Sequence, residues 1–252
     1  MSLAGHTALV TGAGAGVGRG IALALAAEGA YVVIASRSET GRDVADEITA
    51  RGHRGTWTRC DVTAPQQVAG AVGVALDETG RLDAVVHNAT SAMSSRPHRL
   101  ADVDRSLWED HFSVSVGGAH HCATAALESL KERGGTFLVM TSAAGIEGSA
   151  TLPLYATMKG ALRGFAKSLA REWAPHGITV NTVSPLAYSP AMTAAIEADA
   201  AMEQRLARRV PLGRIGDPER DIGSAVAFLV GPAARYITGQ TIGVDGGHFM
   251  NL

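Results

Sequence analysis

The chain has 252 residues, 46% apolar and 18% charged, with 30 glycines and a formal net charge of −2. That composition suits a folded core. No basic excess or long run of like charge points to nucleic acid, and no apolar run reaches membrane-helix length. The N-terminal "MSLAGHTALVTG" lacks the basic region and apolar core of a secretion signal. Two distant cysteines, Cys60 and Cys122, form no disulfide framework, so a reducing cytoplasm is the expected location.

In chain order, seven β-rich apolar runs alternate with helical segments. The strand candidates are 7–11, 31–35, 55–59, 82–87, 136–141, 177–183 and 241–246. The helical segments are 17–28, 39–51, 65–79, 104–131, 154–174 and 218–230. The strands are continuous apolar runs, as expected for strands buried on both faces of a parallel sheet. The alternation predicts an α/β, doubly wound Rossmann-type fold with a sheet of about seven parallel strands and helices on both faces. No linker or internal repeat interrupts 1–252, so a single domain is expected. Residues 185–214 depart from the alternation with helical character between prolines, and are read as a helical lid over the core.

After the first strand comes "TGAGAGVGRG", which fits Thr11-Gly12-x-x-x-Gly16-x-Gly18 and not G-x-G-x-x-G. Residues without a Cβ let a diphosphate approach the backbone, and the helix that follows offers free N–H groups and its positive end. This predicts nucleotide binding. The second strand ends in Ser36 and Arg37 and not in a carboxylate. Donors and a positive charge at that point suit a ribose 2′-phosphate, favouring NADP, with NAD as the alternative.

"LYATMKG" places Tyr155 and Lys159 one helical turn apart. With "TGAGAGVG", "CDVT" at 60–63, Ser142 thirteen residues before Tyr155, and "YITGQTIGVDGG", the chain resembles the short-chain dehydrogenase/reductase family over essentially its whole length, in particular members like 3-oxoacyl-carrier-protein reductases. The resemblance implies hydride transfer between a nicotinamide and a carbonyl or secondary alcohol. In it Tyr155 serves as general acid/base, Ser142 orients the substrate oxygen, and Lys159 holds the nicotinamide ribose. It further implies that Gly12, Gly16, Val17 and Gly18 shape the diphosphate turn, and that Asp61 and Val62 meet the adenine. Asn88 and Ala89 border its ribose, and Pro185 and Tyr188 stand near the nicotinamide. A homotetramer or homodimer is implied, with 218–230 and the last strand as contacts.

An ammonium about 5 Å from the phenol, at an effective dielectric of about 20, favours the phenolate by roughly 3 kcal/mol, so Tyr155 is expected to titrate about two pH units below a free tyrosine. Three departures from the family pattern involve four positions. Thr90 stands for the glycine of N-N-A-G, Ser115 for the catalytic asparagine that holds a water, and Leu186 and Pro190 for a glycine and a threonine near the nicotinamide. Ser115 is expected to keep the water relay through its hydroxyl, and Ser189 is a candidate to supply the lost polar contact. These departures motivate an alternative: a dinucleotide-binding sensor or partner subunit with little catalysis. The nine histidines show no metal-ligand spacing, so no metal site is expected.

Overall fold

A computed structural model of the chain describes residues 2–199 and 201–250. Its strands are β1 (Thr7–Thr11), β2 (Tyr31–Ser36), β3 (Gly55–Arg59), β4 (Ala84–His87), β5 (Thr136–Met140), β6 (Thr179–Pro185) and β7 (Thr241–Val244). They form one parallel sheet in the order β3-β2-β1-β4-β5-β6-β7. Between them run α1 (Gly16–Ala27), α2 (Thr40–Ala50), α3 (Pro65–Thr79), α4 (Arg105–Phe112), α5 (Gly118–Lys131), α6 (Ala144–Glu147), α7 (Pro153–Trp173), α8 (Pro190–Ala198), α9 (Ala201–Ala207) and α10 (Ser224–Val230).

Successive strand residues serve opposite faces. Val10, Ile34 and Val86 pack with α1, α2 and α10, while Leu9, Val33 and Val85 pack with α3, α5 and α7. Both faces are therefore dry, which is why the strands read as unbroken apolar runs. The strand order reverses between β1 and β4, opening the crevice at their C-terminal ends where such sheets bind ligands.

Two expected helices break differently. The segment 104–131 is not one helix. Asp104 caps α4 by accepting from the Leu107 N–H at 2.8 Å, a wide i→i+5 turn spans Ser113–Gly117, and α5 follows. Two glycines at 117–118 weaken the helical ladder there and let it slip. The segment 218–230 likewise opens with a wide turn, Pro218–Gly223, capped by Asp217, which accepts from Glu219 and Arg220. Residues 185–214 hold α8 and α9, tied to the core by a bridge between Ala187 and Gly216; residue 200 lies outside the described residues.

Candidate active site

Gly12 leaves β1 with φ of 63°, in the left-handed region that suits glycine. A Cβ on it would stand 2.8 Å from Ala89 Cα, and one on Gly18 would collide with the Gly12 carbonyl. The turn is pinned from β4. Asn88 Nδ2 donates to the Gly12 carbonyl at 2.9 Å, and Thr11 Oγ1 accepts from the backbone N–H of Asn88 at 3.1 Å and of Ala89 at 3.2 Å. Ala15 precedes α1 and provides no side-chain cap, which leaves the first-turn N–H groups facing outward for an anion. A cavity of about 1030 Å³ opens over this turn. Gly12, Gly16, Val17 and Gly18 line it, as do Arg37, Asp61, Val62, Asn88, Ala89 and Pro185. Open backbone where any Cβ would intrude, uncapped N–H groups and a long cleft fit a dinucleotide.

Tyr155 and Lys159 reach the same cavity from α7. The lysine is 4% exposed, and burial pushes its ammonium down to about 8. Its Nζ donates to the Met140 carbonyl at 2.7 Å and lies 5.5 Å from the centre of the Tyr155 ring. Thr141 Oγ1 donates to the Lys159 carbonyl, which ties this turn of α7 to the end of β5. The Tyr155 phenol is raised and not lowered as the sequence suggested. Burial is the larger effect, and a hydrogen bond with Ser142 pulls the other way. Desolvation of the phenolate outweighs the attraction of the nearby ammonium. Ser142 follows β5 and meets the phenol without forming part of the cavity wall.

The enoyl-(acyl carrier protein) reductase family matches residues 12–248. The chain belongs to the short-chain dehydrogenase/reductase family. It is 38% identical to a 3-oxoacyl-(acyl-carrier-protein) reductase of Vibrio cholerae, covering 99% of this chain and all of that one. It is 34% identical to a cis-4-hydroxycyclohexanecarboxylate dehydrogenase of Sinomonas cyclohexanicum, over 98% of each. A solved short-chain type dehydrogenase/reductase from Mycobacterium ulcerans superposes with a TM-score of 0.90 at 30% identity, covering 98% of this chain and 91% of that one. This chain is thus a short-chain dehydrogenase/reductase, an enzyme that uses a nicotinamide dinucleotide.

Within the family frame, some expected contacts sit elsewhere. The Ser36 hydroxyl donates its one proton to the Ser38 carbonyl at 2.8 Å and accepts from Trp57 Nε1 at 2.9 Å, so it is not a free donor although it borders the cleft. Tyr188 is outside the main cavity. Its hydroxyl donates to Glu203 of α9, and its ring borders a separate hollow of about 340 Å³. The backbone bond from Tyr188 N–H to the Gly216 carbonyl holds that segment in place. The Ser189 hydroxyl accepts from the Met192 N–H at 3.2 Å at the start of α8, so it already serves as a helix cap. Ser115 is buried off the cavity wall, and its hydroxyl makes no hydrogen bond to another described residue; its carbonyl accepts from His87 Nε2 at 2.9 Å. Thr90 lines the cleft on ordinary backbone, since only glycines have positive φ among the described residues. Asp61 Oδ1 accepts from the N–H and hydroxyl of Thr63, which braces the carboxylate in a turn.

Sequence reasoning missed the bracing shell. Thr11, the Met140 carbonyl and His121, whose Nδ1 donates to the Val62 carbonyl at 2.8 Å, all hold site residues in place. From 185–214, the segment read as a lid, Met192, Met202 and Leu206 line the cleft together with Leu152. Among the described residues no three metal-ligating side chains cluster, and no helix is long and apolar enough to cross a membrane.

Proposed function

We propose that this short-chain dehydrogenase/reductase is an NADP-preferring enzyme acting on an apolar ketone or secondary alcohol, with Tyr155 as its general acid/base. The observation that carries this reading is one cavity shared by the glycine turn, Arg37, Tyr155, Lys159 and the apolar side chains Leu152, Met192, Met202 and Leu206. Arg37 makes no hydrogen bond or ion pair to another described residue, whereas neighbouring Arg42 and Arg59 both engage Glu39. A free guanidinium beside the Ser38 and Thr40 hydroxyls suits a 2′-phosphate.

The nicotinamide, when bound, supplies or accepts the hydride. Tyr155 donates its proton to the carbonyl oxygen in reduction and recovers it from the alcohol in oxidation. Ser142 donates a hydrogen bond to the same oxygen and stabilises the negative charge that develops there. Lys159, whose Nζ lies 5.5 Å from the centre of the Tyr155 ring, is placed to hold the ribose. α8 and α9 act as the lid, presenting methionines and leucine to the substrate's apolar part. Exposed Phe228 on α10 and Tyr236 beyond it are the surface on which a homodimer or homotetramer assembles.

Tyr155→Phe tests the reading. The variant should still enhance NADPH fluorescence with an unchanged dissociation constant. Its turnover on ketones should fall by on the order of 10²–10⁴, the usual worth of a general acid/base. Turnover within a few-fold of wild type would remove Tyr155 from the mechanism.

A further inference from the structure

At the last residue of β4 stands an unusual feature of this site: a wholly buried histidine that the proposed chemistry does not use. His87 is 1% exposed at the C-terminal end of β4. A backbone carbonyl can only accept, so the His87 Nε2–H must donate to the Ser115 carbonyl, 2.9 Å away. Nδ1 is then the acceptor, and Thr11 Oγ1, 3.2 Å away, donates to it while receiving the Asn88 and Ala89 N–H groups. Burial and the charge of Lys159 push the imidazole down to about 3, so this neutral tautomer persists.

The ring occupies space that Gly118 leaves open. A Cβ at 118 would lie 3.0 Å from His87 Cε1 and 2.8 Å from Val62 Cγ2. At its far side the ring meets the wide turn Ser113–Gly117, where the helical donors are shared: the Gly118 N–H is aimed at both the Ser113 and the Ser115 carbonyls. A slipped ladder of this kind holds its carbonyls weakly, and His87 adds a full donor from another element. The same wide turn packs on α7, the helix of Tyr155 and Lys159, and contributes Val114 to the cavity wall.

We infer that His87 is a positioning residue: by clamping the Ser115 carbonyl and Thr11 at once, it fixes the wide turn against the catalytic helix and joins that helix to the diphosphate turn. This rests on the proposed catalytic role of Tyr155 and Lys159. It also assigns the importance of position 115 to the backbone carbonyl and not to the serine hydroxyl.

Two substitutions divide the clamp. In His87→Asn the amide oxygen matches Nδ1 and keeps the Thr11 bond, but the side chain is too short for Ser115. In His87→Gln the amide nitrogen matches Nε2 and keeps the Ser115 bond. We expect His87→Asn to lower kcat about tenfold, the loss of one buried hydrogen bond, with NADPH affinity and ketone KM unchanged within about twofold. His87→Gln should restore most of kcat. Amide hydrogen exchange across 113–121 should quicken in His87→Asn alone. Wild-type kcat in His87→Asn, or an equal loss in His87→Gln, would overturn the assignment. If wild type turns over no carbonyl compound, the proposed function fails, and the exchange comparison still decides the clamp: unchanged exchange in His87→Asn rejects it.

Discussion

Replacing Lys159 with methionine should cost the enzyme its activity and make the cofactor-free protein more stable. The side chain is 4% exposed, and burial lowers its ammonium from 10.5 to about 8. At about 1.36 kcal/mol per pH unit, the charged form costs the folded state roughly 3 kcal/mol near pH 7. Methionine fills similar space without charge, but it leaves the Met140 carbonyl without its Nζ–H donor, a loss of about 1 kcal/mol. The net gain is about 2 kcal/mol near pH 7. Because the folded pKa lies below the unfolded one, the penalty is fully present below about 8 and fades as pH rises toward 10.5. By about pH 9.5 the advantage of the variant shrinks by roughly 2 kcal/mol, to near zero. Urea unfolding of both proteins without cofactor, at one protein concentration and at both pH values, measures this directly. A variant less stable than wild type near pH 7, or a difference that does not change with pH, would mean that the buried ammonium carries no such penalty.

Other expectations follow from the same structure. Arg37→Ala should raise the NADPH dissociation constant about tenfold or more and leave that of NADH within about twofold, as measured by fluorescence titration; equal effects would remove the 2′-phosphate from Arg37. Asp83 is buried, accepts from the Thr7 N–H at 2.8 Å and is paired with Arg81 at 2.5 Å, so Asp83→Ala should destabilise by roughly 3 kcal/mol in urea unfolding. Mass photometry should find dimers or tetramers, and Phe228→Glu with Tyr236→Glu should shift them toward monomers without a change in the secondary-structure signal; unaltered assembly would place the interface elsewhere.

The parts of the fold legible in the sequence are those written in local spacing. β1, β2, β4 and β5 are apolar runs because both faces of the sheet are covered. Gly12, Gly16 and Gly18 are recognisable because only residues without a Cβ tolerate that turn; Tyr155 and Lys159 share one helix face, but it is the resemblance carried by Ser142 and the other motifs that singles them out. The break in 104–131 was not legible: whether a helix slips by one residue at Ser113–Gly117 depends on a donor from His87, 28 residues earlier, and on packing against α7. Ser36 reads as a free hydroxyl until Trp57, 21 residues later, is seen to donate to it. Tyr188 reads as a cleft residue until Glu203 turns it to the other side.

The alternation of strand and helix and the glycine turn are written in the sequence of 252 residues, because each depends on neighbours within a turn or a strand, while the serine, tyrosine and lysine stand out through the family resemblance that their motifs carry. Only the tertiary structure decided how those groups titrate and which hydroxyls remain free. Desolvation and long-range hydrogen bonds depend on what excludes water from a side chain, and at Tyr155, Lys159 and His87 that is done by elements distant in sequence.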